Sequence, residues 1–151
     1  MCLNVTDTKV KTAERDIVCY KLLKARNDLI SSNNNRNVFY SEYQNFIYDI
    51  GKTYKLKSPL TCLLSYNPFY LGEVHRGFHS FSRFEDVICY QKNVKVFYHG
   101  IFEKEGLEFV LARCVIPRGS KYFEGSYFNN LGSGCCYASS AIKVLEIIEE
   151  K

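Results

Sequence analysis

The chain has 151 residues, 46% hydrophobic and 24% charged, the composition of one globular domain able to bury a sizeable core. A net charge of +4, spread without any Lys/Arg block, fits an anionic partner but argues against sequence-specific nucleic-acid recognition. No apolar run of about 18 residues exists to cross a membrane as a helix, and the opening MCLNVTDTKV lacks the apolar core of a secretory signal. The expected location is therefore the cytoplasm, with reduced thiols and residues 1–151 forming a single domain.

The aromatic residues, 12 Tyr and 11 Phe without Trp, tilt the expectation toward strands. Thr12 to Asp16 reads as one helical turn, and Ile17 to Leu23 as the first clear strand. Asn27 to Asn37, rich in Asn and Ser, reads as a loop. Val38 to Tyr48 supports helix and strand equally. Asp49 to Lys52 is a turn with Gly51 at positive φ, and Lys52 to Leu56 is a short exposed strand. Leu60 to Tyr66 lies between the Ser58–Pro59 and Asn67–Pro68 breaks. Around Phe78 and Ser80 the pattern alternates as a strand does. Ser82 and Glu85 match a capping box, and Phe84, Val87, Ile88 and Gln91 follow at helical spacing, predicting a helix over Ser82 to Gln91.

Val94 to Phe102 and Leu107 to Ile116 flank Glu103–Gly106 as a hairpin would. The run Phe109–Val110–Leu111–Ala112, then Cys114–Val115–Ile116, predicts a central strand that stops at Pro117. Gly125 to Gly134 reads as a loop, and Ala141 to Ile148 as a closing strand. The order implies an α+β fold, a largely antiparallel twisted sheet with one short central helix.

No motif specifies a reaction. His75 and His79 stand four apart in HRGFH, but Gly77 and the strand pattern oppose a helical metal site. No C-x-x-C occurs, so a zinc site is not expected, and no metal ligand set or cofactor is expected either. Cys135 and Cys136 read as two packed thiols, with a vicinal disulfide as the alternative. Pro117–Arg118–Gly119–Ser120–Lys121 is a turn whose backbone N–H groups and cations suit a phosphate; its bland reading is a solvated surface turn. Gly132 to Ser140 reads either as a flexible connection or as a loop over a ligand.

The segments AERDIVCYKLL, IGKTY, GFHSF, CVIPRGSKYFEG and YASSAIKVLEI resemble a group of small uncharacterised proteins of phages, prophages and Bacteroides-type genomes. The resemblance implies a mobile-element setting and antagonism of host immunity in the bacterial cytoplasm, and it carries over no catalytic residue. A looser similarity in residue order, to ADP-ribosyltransferase-like domains, would use Lys21 or Arg26, His79 or Ser80, and Glu146.

The leading expectation is a non-enzymatic protein that sequesters a small anionic ligand, a nucleotide or ADP-ribose-type signal. Arg76, His79, Arg118 and Lys121 would meet the phosphates, and Tyr122 or Tyr137 would stack on a base. The alternatives are a protein–protein inhibitor of a host defence protein, docking through its aromatic surface, and an ADP-ribosyltransferase-like enzyme. A homodimer is expected on base rates alone.

Overall fold

The computed structural model describes residues 3–27, 37–41, 46–65, 71–97, 107–127 and 135–148. The described strands are β1 (Leu3–Val5), β2 (Lys11–Thr12), β3 (Ile17–Asn27), β4 (Asn37–Ser41), β5 (Ile47–Tyr48), β6 (Thr53–Lys55) and β7 (Leu63–Leu64). They continue with β8 (Gly72–Val74), β9 (Phe78–Phe81), β10 (Leu107–Ile116), β11 (Lys121–Tyr127), β12 (Cys136–Ser139) and β13 (Ala141–Ile148). One helix, α1 (Phe84–Phe97), follows β9.

The strands join in the order β6-β13-β10-β3-β9-β12-β11-β1-β8-β7, with β2 on β11 and β4–β5 branching from β3. Among the described residues every pairing is antiparallel. The apolar run of β10 is central, as its two-sided hydrophobicity predicts. It pairs with β3 from Leu107↔Arg26 to Ile116↔Ile17, and with β13 on its other side. Between Arg113 and Cys114 the β13 register shifts: Val144 faces Cys114 and Glu146 faces Arg113, leaving Leu145 as the extra residue of a bulge.

The period of two along the strands sorts the core into two clusters. On the helix side, Leu22, Phe81, Phe109 and Leu111 pack under Val87 and Val94, joined by Leu3, Val5 and Val74. Gln91 is buried there because its amide donates to the Phe109 carbonyl at 3.2 Å. On the far side lie Cys19, Leu23, Tyr48, Phe78, Ala112, Cys114, Ile142 and Val144.

Several expectations change. The helix starts at Phe84 and runs to Phe97, because Val87, Gln91 and Val94 extend the buried stripe beyond Gln91; Val94 to Phe97 are therefore helical rather than strand. Ser82 does not cap it. Its hydroxyl donates to the Cys135 carbonyl at 2.5 Å and ties the start of the helix to β12. Thr12 ends strand β2 instead of opening a helical turn, since Lys11 and Thr12 pair with β11. Val38 to Tyr48 resolves into β4 and β5 on either side of residues 42–45. Cys136 to Ser139, expected in a loop, is a strand between β9 and β11 whose residues are mostly buried. The proposed hairpin turn Glu103–Gly106, the Asn27–Asn37 loop apart from its ends, and residues 128–134 lie outside the described residues.

Candidate functional site

An open groove of about 360 Å³ is lined by Ser58, Pro59, Thr61, Leu63, His75 and Arg76. One wall is the segment leading into β7, and the other is the turn joining β8 to β9. The pairs Leu63↔Glu73 and Leu64↔Gly72 lay the two walls side by side. Glycine permits the approach at both ends. A Cβ on Gly72 would lie 2.4 Å from Cys62 Sγ, and a Cβ on Gly77 would lie 2.8 Å from Leu60 Cδ1. Between these contacts His75 and Arg76 are exposed along the groove. His75 Nε2 lies 3.0 Å from Glu73 Oε2, while among the described residues no carboxylate pairs with Arg76.

His79 stands behind this turn. Its Nδ1 is 3.1 Å from the Gly77 carbonyl and its Nε2 is 3.1 Å from the Val74 carbonyl. Burial, and next the nearby Lys21 ammonium, lowers its pKa to about 4, so the ring is neutral at pH 7. Lys21 is itself buried on the far side, where it donates to the His79 carbonyl and lies 5.6 Å from the centroid of the Tyr48 ring.

The remaining expected site residues stand elsewhere. Tyr122 and Tyr137 do meet, with ring centroids 5.8 Å apart in an edge-on contact. Both pack with the far-side cluster, whereas His79 alternates with Phe78 and faces the helix side with Phe81. Burial first, then Cys135 and Glu124, pushes the Tyr137 hydroxyl up to about 12. Arg118 is exposed in the turn with Gly119 at φ 87, and its backbone N–H donates to Asp16 Oδ1 at 2.8 Å. Lys121 Nζ donates to Thr12 Oγ1 at 2.6 Å. The structure thus brings Arg76 and His79 to one hairpin and Tyr122 and Tyr137 to one face. These are separate places.

The ADP-ribosyltransferase-type set does not converge in its Lys21–Ser80–Glu146 form; His79 shares the side of Glu146, and the Arg26 side chain lies outside the described residues. Lys21 and Ser80 share the far side, but the bulge at Leu145 turns Glu146 to the opposite side, where Glu146 Oε1 meets Arg113 Nε at 3.0 Å in solvent. Among the described residues no group of three or more His, Cys, Asp or Glu side chains is arranged to hold a metal ion. Cys135 and Cys136 carry free thiols. No described helix is long and apolar enough to cross a membrane.

Sequence reasoning missed Ser58, Thr61, Leu63 and His75 as groove residues. Ser58–Pro59 reads only as a break. The available signal was Gly72 and Gly77 framing GEVHRG, a spacing that lets a second segment press against a hairpin at both ends. Compared with protein-family models, with curated proteins and with solved structures, the chain matches none.

Proposed function

We propose that the chain is a binding protein that sequesters a small anionic ligand, a nucleotide or ADP-ribose-type signal, in the groove beside Arg76. The observation that carries this reading is the Arg76 guanidinium, unpaired with any carboxylate among the described residues, on a groove that also offers the hydroxyls of Ser58 and Thr61. A guanidinium meets phosphate oxygens through two parallel N–H donors, hydroxyls add single bonds, and Pro59 and Leu63 give an apolar surface for a sugar or base. The resemblance to small phage and prophage proteins supplies the setting: an accessory protein that removes a host immune signal in the bacterial cytoplasm.

The test is calorimetric titration with ADP-ribose, AMP and inorganic pyrophosphate, together with mass spectrometry of molecules released on heat denaturation. Arg76→Ala should weaken binding by roughly 10- to 100-fold, the worth of a charge-assisted contact. Arg118→Ala, in the separate turn, should leave it unchanged. Equal affinity of wild type and Arg76→Ala would remove the site.

A second reading, an inhibitor of a host defence protein, is favoured by the leucines beside the groove: Leu63 at 57%, Leu64 at 82% and Leu71 at 60% exposure. A stable complex with a purified host protein, lost on Leu64→Asp and unaffected by Arg76→Ala, would establish it over the first.

A further inference from the structure

We infer that His79 is a positioning residue for Arg76: it shapes the turn that presents the guanidinium and does not itself touch the ligand. The inference rests on the reading of the groove as an anion site.

The imidazole spans its own hairpin. The two carbonyls it faces, on Val74 and Gly77, bracket His75 and Arg76 in the chain, each 3.1 Å from a ring nitrogen. A neutral ring donates one N–H, so one of the two carbonyls accepts from it while the other nitrogen packs against the second carbonyl, and the ring fills the space between them. The turn is pinned from outside as well. Gly77 has φ 127, a conformation that side chains disfavour, and its Cα surface is covered by Leu60 from the opposite groove wall and by the Ser139 carbonyl from β12. Behind the ring, the buried Lys21 ammonium donates to the His79 carbonyl and fixes the strand from which the imidazole projects. Arg76 therefore sits on a loop whose backbone is held at residues 74, 77 and 79 before any ligand arrives. Ordering the loop is not left to the moment of binding, which is the condition under which a single guanidinium retains its full affinity.

His79 was expected from the sequence to meet phosphate directly. Both of its ring nitrogens face main-chain carbonyls rather than the groove, and it is not among the groove-lining residues. A role through the turn follows from that placement.

The experiment titrates ADP-ribose and inorganic pyrophosphate into wild type, Arg76→Ala, His79→Leu and His79→Gln, with thermal unfolding of each. His79→Leu should weaken ADP-ribose binding about tenfold, the effect of losing a preorganised contact. His79→Gln, whose amide can still donate an N–H to one of these carbonyls as the neutral ring does, should lose clearly less than His79→Leu and stay within about threefold of wild type. Undiminished binding by His79→Leu overturns the inference and leaves the groove reading intact. An equal loss in both His79 variants also overturns it, because a general structural defect or a direct ring contact would then be responsible. If wild type binds neither probe, or Arg76→Ala binds as wild type does, the groove reading falls and the inference falls with it. Should His79→Leu not fold, Gly77→Ala makes the comparison: it keeps the imidazole but displaces the turn, and must weaken binding, an unchanged affinity being contrary to the inference.

Discussion

Buried polar side chains on and beside β9 set the pH behaviour and thiol reactivity of the molecule. The folded pKa of His79 lies at about 4, below the ordinary 6.5, through burial and then the Lys21 charge. Between those values the unfolded chain binds more protons than the folded one, so this contribution is fully present above about pH 6.5 and lost as the pH falls toward 4. Urea unfolding should show wild type losing on the order of 1–2 kcal/mol between about pH 7.5 and pH 5 relative to His79→Gln. The thiols should divide by burial. Cys19 and Cys114 face each other across β3 and β10 and are wholly buried. Desolvation raises the Cys19 thiol to about 11 and the Cys114 thiol still further, which suppresses the reactive thiolate. Iodoacetamide followed by peptide mass spectrometry should label the exposed Cys89 in the native protein, and Cys19 and Cys114 only after denaturation.

Along β10, two neighbouring positions on the same face have opposite weights. Leu111 is buried under the helix, and its replacement by Ala should cost about 2–5 kcal/mol. Arg113 reaches solvent and pairs there with Glu146, so Arg113→Ala should cost at most about 1 kcal/mol; denaturant midpoints measure both. Such long elements were legible in the sequence. Ile17 to Leu23 and Ala141 to Ile148 announce themselves by β-branched and apolar runs, and Gly51 takes φ 85 as its turn requires. The short strands were not legible. Cys136–Tyr137–Ala138–Ser139 carries Ser and small residues that also suit loops, and only its neighbours β9 and β11 make it a strand. The helix end was misjudged for a related reason: Val94 fits either a strand or the next turn of a helix, and packing on the sheet decides. Of the candidate site, Arg76 was chosen for its charge. The hydroxyls opposite it come from a segment whose place depends on a pairing between residues 63–64 and 72–73, which spacing alone does not encode.

At the scale of the whole molecule, the groove reading makes the hairpin between β8 and β9 the part on which ligand affinity depends, and the turn at Arg118 dispensable. Combining Arg118→Ala with Arg76→Ala should therefore give the affinity of Arg76→Ala alone within about twofold, since sites without shared partners act independently. The position of β1 has a different kind of consequence. Leu3 and Val5 are fully buried in a strand inserted between β8 and β11, with Leu3 opposite both Val74 and Tyr127. A ribosome releases Leu3 long before it makes Tyr127. During that interval these apolar residues lack one of their two partner strands, and the seam they fill stays open. Closure must wait for synthesis of β11, which makes this a late, long-range step of folding and exposes the nascent chain to chaperones in the meantime.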